Sequence, residues 1–100
     1  MADTPEKKVK KKVVEILKQH GAYYFYPVTG GFGASGVPDI VACYNGRFLG
    51  IEVKADAKKR SPTALQQKNL NAINATGGVA LVIDANNLDE LEETMRKLCD

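Results

Sequence analysis

The sequence predicts an α/β fold with the element order α-β-β-β-α-β-α, a mixed sheet flanked by helices. Three observations carry this. Asn45-Gly46 separates two runs, residues 39–44 and 47–54, and this dipeptide suits the positive φ at both central positions of a type I′ turn, so the runs form an antiparallel hairpin. A helical stretch divides that hairpin from the apolar run Val79-Ala80-Leu81-Val82-Ile83, which implies a right-handed crossover into a parallel fourth strand. Apolar residues at helical spacing near both ends supply helices to cover the sheet.

Residues 5–20 read as the first helix, with Val9, Val13 and Leu17 on one stripe, Thr4 as N-cap and Pro5 at the first helical position. Gly21 ends it, and the aromatic run Ala22 to Val28 reads as a strand closed by Pro27. Thr29 to Gly36 is a glycine-rich loop. After the hairpin, Ala55 to Ser61 is a basic connection. Pro62 opens a second helix to about Thr76, with Leu65, Leu70 and Ile73 apolar. Gly77-Gly78 leads into the buried fourth strand, and residues 87–98 form an acidic helix with Leu88, Leu91, Met95 and Leu98 inward.

One hundred residues, 44% of them hydrophobic, suit a single domain spanning 1–100. No apolar run reaches membrane-spanning length and no signal-peptide core is evident, so the expectation is a soluble cytoplasmic protein. Cys43 and Cys99 are too few for a disulfide framework or a zinc site; Cys43 is expected to be buried in its strand and Cys99 to be a free thiol. The net charge of +2 hides an asymmetry: residues 1–68 carry twelve Lys/Arg against six Asp/Glu, and residues 69–100 carry two against six. A basic surface suits a polyanion, although a solvated lysine face explains the same count.

The hairpin concentrates the chemistry. With Tyr44 paired to Arg47 across the turn, counting back places Asp39 opposite Glu52, and Lys54 two residues on points to the same face. Ile40, Ala42, Leu49, Ile51 and Val53 form the opposite, apolar face. Opposed carboxylates repel each other. As hard oxygen donors Asp39 and Glu52 suit Mg²⁺ or Mn²⁺, with the Val53 carbonyl as a further ligand and waters and phosphate completing the shell. Such an ion would relieve the repulsion and polarise a phosphoryl oxygen. Lys54 would position the attacking water or stabilise negative charge; the plainer reading is an ion pair with Glu52 at a solvated edge.

Gly36-Val37-Pro38-Asp39 followed by Glu52-Val53-Lys54 resembles the PD-(D/E)XK nuclease signature. More closely, the chain resembles stand-alone phage and bacterial VRR-NUC domains and, more distantly, archaeal Holliday-junction resolvases. The similarity in element order runs from the first helix through the strand after Gly77-Gly78. The resemblance implies a restriction-endonuclease-like core and a metal-dependent nuclease, in a bacterial cell or a phage-infected host. Asp39 and Glu52 would then be ligands and Lys54 the catalytic lysine. The family pattern adds a glutamate in the first helix, where Glu6 and Glu15 compete. Glu6 is preferred because it shares the stripe of Lys10, Val13 and Leu17, with a helix-terminal acid as the alternative. The pattern's glutamine is Gln66 or Gln67, and Gln66 shares a face with Leu70 and Ile73.

For the substrate, Ser35 and Gly36 at the end of the glycine loop offer room and backbone donors to a phosphate, and Lys58, Lys59 and Arg60 follow the catalytic strand. Lys7, Lys8, Lys11 and Lys12 extend the footprint, and an exposed tyrosine from Tyr23, Tyr24 or Tyr26 could stack on an unpaired base, with core or dimer packing as the alternative. His20, at a helix C-terminus, receives no catalytic role. The expected activity is endonucleolytic cleavage of DNA, structure-selective rather than sequence-specific, by a homodimer of the junction-resolvase kind. The rivals are flap or single-strand nicking, a non-catalytic nucleic-acid binder, and a module contacting an acidic protein.

Overall fold

The computed structural model describes residues 3–28, 35–59 and 61–99. Helix α1, Pro5–Gln19, begins where the Thr4 hydroxyl accepts from the Lys7 amide, and buries Val9, Val13, Val14 and Leu17. Strands β1 (Tyr23–Phe25), β2 (Ile40–Tyr44) and β3 (Arg47–Val53) precede a 3₁₀ turn at Ala57–Lys59. Helix α2 (Ala64–Ala75), strand β4 (Val79–Ile83) and helix α3 (Leu88–Leu98) complete the predicted order. Among the described residues no helix is long and apolar enough to cross a membrane.

The sheet order is β1-β2-β3-β4, antiparallel except for the parallel pair β3/β4. Asn45 and Gly46 have φ of 51° and 80°, as a type I′ turn demands, and Tyr44 pairs with Arg47. That register turns Ile40, Ala42, Leu49, Ile51 and Val53 to one face, each at most 1% exposed, where α1 and α3 close the core with Leu17, Leu91 and Met95. The opposite face receives α2, chiefly over β3 and β4. Its remaining rows, Tyr23 beside Cys43 beside Phe48, and Phe25 beside Val41, lie beyond the strands on which α2 makes its main contacts.

Several local expectations change. Cys43 is exposed because it lies on this uncovered face, opposite the core. The aromatic strand is three residues long, not seven: its ladder stops before Pro27, which has no N–H to contribute. Tyr24 packs against the core, while Tyr23, Phe25 and Tyr26 are exposed. Helix α2 starts after Thr63, not at Pro62, because the Thr63 side chain and Gln66 form a reciprocal capping box. Leu65 is exposed, whereas Leu70 is buried. Residues 29–34 and Arg60 lie outside the described residues.

Helix α2 approaches the sheet closely because Gly50 carries no side chain: a Cβ there would stand 2.5 Å from Ile73 Cδ1 and 3.0 Å from Pro38 Cγ. Gly36, at φ 76°, likewise leaves no room for a Cβ, which would meet Leu65 Cγ at 2.7 Å. Gly36 admits the start of α2 beside the approach to β2, and Gly50 lets the last turns of α2 sit close on β3. Gly50→Ala is expected to cost about 1–3 kcal/mol in urea unfolding through overpacking. Adding Ile73→Ala is expected to make the pair of changes less costly than the sum of the two alone.

Candidate active site

The site forms where β2 begins, β3 ends and α2 starts. Asp39 precedes β2, and one step beyond the Ile40–Ile51 pair it stands beside Glu52. Pairs exchanging hydrogen bonds alternate back from the turn through Ala42–Leu49 to Ile40–Ile51. Asp39 and Glu52 therefore fall on a non-hydrogen-bonded position, where opposed Cα atoms approach to about 4.5 Å and side chains lie closest.

The next position sets Pro38 opposite Val53. Proline has no N–H, so the Val53 carbonyl has no ladder donor there, while the Val53 amide donates to Asp39 Oδ2 at 2.8 Å. Lys54 turns the other way and donates its backbone N–H to the Ile83 carbonyl at 2.9 Å. The end of β3 thus keeps β4 on one side and offers its carboxylate, carbonyl and ammonium on the other.

Gln66 joins these groups. Its Nε2 donates to Glu52 Oε2 at 2.9 Å, and its Oε1 accepts from Lys54 Nζ at 3.0 Å and from the Thr63 amide at 3.0 Å. Lys54 Nζ is also 3.4 Å from Glu52 Oε2. One amide therefore presents its donor to a carboxylate and its acceptor to an ammonium, and the helix cap fixes its orientation. Gln67 points elsewhere, donating to Asn71 Oδ1. The capping box is legible in the sequence as Thr63-Ala64-Leu65-Gln66, a stronger start signal than Pro62.

Glu52 is 3% exposed, and burial together with the neighbouring Asp39 carboxylate pushes its pKa up to about 7, against an opposing pull from Lys54. Two carboxylates, of which one resists ionisation, are a donor set that a divalent cation suits, since the cation would replace the repulsion with attraction. Asp39, Glu52 and the Val53 carbonyl are the oxygens that could hold it. Among the described residues there is no group of three or more His, Cys, Asp or Glu placed for a metal, so waters and substrate oxygens would complete the shell.

The other predicted residues lie around this centre. Ser35 accepts from Asn69 Nδ2 through its carbonyl, which ties the end of the loop to α2. Lys58 and Lys59 are exposed in the 3₁₀ turn, and their amides donate to Asp56 Oδ1. Glu6 is exposed in the first turn of α1, contrary to the sheet-facing orientation expected of it, because the buried stripe begins only at Val9. Its side chain makes no hydrogen bond or ion pair among the described residues; Glu15 is exposed as well. Asp84 and Asn87, fully and nearly buried, escaped the sequence reading. They shape the corner after β4, where Asn87 Oδ1 accepts from the Asp84 amide at 2.7 Å and Asn86 Oδ1 from the Ala57 amide at 3.4 Å.

Compared with known proteins, the chain matches no family model, and neither a curated protein nor a solved structure is significantly similar to it.

Two outcomes follow from this geometry. Gln66→Ala removes hydrogen bonds to two charged groups and is expected to lower stability by about 1.5–3 kcal/mol in urea unfolding, against less than about 0.5 kcal/mol for Gln67→Ala. The second concerns pH. Glu52 has a folded pKa of about 7 above its ordinary 4.5, so folding favours its protonated form. Its contribution is intact below pH 4.5, is lost as pH rises to about 7, and is constant above that. In EDTA, the stability difference between Glu52→Gln and the unaltered protein is expected to move in the variant's favour between pH 4.5 and 8, on the order of 2–3 kcal/mol. Added Mg²⁺ is expected to stabilise the unaltered protein at pH 8 and not the variant.

Proposed function

We propose that the chain is a Mg²⁺- or Mn²⁺-dependent endonuclease that hydrolyses phosphodiester bonds in DNA, acting on branched structures such as four-way junctions as a homodimer. The observation that carries this reading is the convergence of Asp39, Glu52, Lys54 and Gln66 at one end of the sheet, beside a Val53 carbonyl without a ladder donor. The resemblance of Pro38-Asp39 and Glu52-Val53-Lys54 to the PD-(D/E)XK signature supports it. A plain surface ion pair does not explain why a buried glutamate is kept beside a second carboxylate, where ionisation costs stability.

In this reading Asp39, Glu52 and the Val53 carbonyl would hold the ion. When bound, it supplies the charge neutralisation and the acidified water that the side chains lack. The Val53 amide fixes the Asp39 carboxylate, and the Gln66 amide holds Glu52 and Lys54 in one orientation. Water attacks phosphorus in line with the departing oxygen, and the Lys54 ammonium faces the negative charge that develops. Gly36 and Ser35 line the approach, with Lys58 and Lys59 on the neighbouring phosphate. Glu6 stands apart and is assigned no step. The uncovered sheet face, with Tyr23 71%, Phe25 49% and Phe48 46% exposed, supports assembly with a second copy.

The test is cleavage of a four-way junction beside a linear duplex of the same arm sequence, with Mg²⁺, with Mn²⁺ and with EDTA. Paired nicks near the crossover that require the metal are expected, and Glu52→Ala is expected to reduce the rate by at least about a hundredfold. Cleavage of neither substrate under any condition, with tight binding retained, would end the junction-resolvase reading and favour flap cleavage or a non-catalytic binder.

A further inference from the structure

We propose that the groove between α1 and the end of β1 is a subsite for an unpaired strand of DNA, with a base stacked on Tyr26 and phosphates held by Lys7, Lys11 and Lys18. The groove has a volume of about 410 Å³, and its walls include Lys7, Lys10, Lys11, Lys18, Glu15 and Tyr26. Tyr26 is 47% exposed, and Lys10 Nζ lies 4.4 Å from its ring centroid, so the ring is held beside the cations rather than in the core.

The lysines form a row. At a rise of about 1.5 Å per helical residue, Lys7 and Lys11 are spaced about 6 Å along the axis, and Lys18 follows about 10 Å further. Against them stand Glu15 in the groove and Asp3, which pairs with Lys11 Nζ at 2.6 Å. That pair is exposed at the lysine end, so a phosphate can displace it at little cost. Four ammonium groups against two carboxylates leave the groove basic.

A cation row beside an exposed ring suits a polymer that alternates phosphates with flat bases. A duplex stacks its bases internally and offers the ring nothing, whereas an unpaired strand offers a base face at every step. An acidic peptide would meet the lysines and leave Tyr26 unused. The groove lies at the same end of the sheet as the candidate active site, on the face covered by α1 and across the sheet from Asp39 and Glu52. Phe25 pairs with Val41, so Tyr26 continues β1 towards the end of the sheet where Asp39 and Glu52 lie. The first turns of α1 reach that end too, since Lys8, Val9 and Lys12 face Ala55 and Ala85 across a cavity of about 190 Å³.

The choice of DNA rests on the nuclease reading, so the test separates the two. Binding is measured by fluorescence anisotropy in EDTA, with every protein carrying Glu52→Gln. The probes are a duplex with a single-stranded overhang, a blunt duplex of the same sequence and vesicles of anionic lipid. Tyr26→Leu is expected to weaken binding to the overhang probe about tenfold and to the blunt duplex by less than about twofold, with Tyr26→Phe close to the unaltered side chain. Lys7→Gln with Lys11→Gln is expected to lower the salt exponent on the overhang probe by about 1.4. Equal effects of Tyr26→Leu on both DNA probes, no effect on either, or an effect on vesicles alone would overturn the subsite. Metal-dependent cleavage by the unaltered protein together with binding indifferent to Tyr26 defeats the subsite and leaves the nuclease reading standing. Tyr26-dependent binding without cleavage does the reverse.

Discussion

The register imposed by the Asn45-Gly46 turn is the constraint from which the core and the site both follow. Two residues with positive φ fix Tyr44 against Arg47, and each later pair is then determined by alternation. A slip of one residue would turn one strand over, carrying Ile40 and Ala42 from the core to the open face, and would separate Asp39 from Glu52. The apolar face therefore protects the polar one. Burial of five hydrophobic side chains holds two carboxylates in a juxtaposition that neither would choose alone.

The second determinant is the close seating of α2. Gly50 and Gly36 remove the Cβ atoms that would push Ile73 and Leu65 away, and the helix brings its capped first turn over the end of β3. Gln66 there has two duties. Its backbone amide and side chain close the capping box with Thr63, and the same side-chain amide spans Glu52 and Lys54. Helix initiation and the polar network share one residue, so damage to the cap would loosen the site as well.

Pro38 illustrates how a residue without a side-chain functional group can shape chemistry. By lacking an N–H opposite Val53, it ends the ladder one step before Asp39 and leaves a carbonyl beside the carboxylates. The side chain of Asp39 then takes the amide that a ladder carbonyl would otherwise have received. The strand end becomes a cluster of oxygen donors rather than a continuation of the sheet.

The order of elements, the hairpin register and the choice of Gln66 over Gln67 were legible in the sequence because each rests on local rules: turn chemistry, alternation and helical phase. The exposure of Cys43, the length of β1, the start of α2 and the orientation of Glu6 were not. Cys43 sits in a strand like its neighbours, and it is exposed because it lies on the face of β2 opposite the core, beyond the strands on which α2 makes its main contacts. Glu6 has the phase of the buried stripe, yet the sheet covers α1 only from Val9 onward. Sequence by itself determined which residues share a face, since periodicity is a property of the backbone; only the tertiary structure decided which faces are covered, because cover depends on where distant elements end.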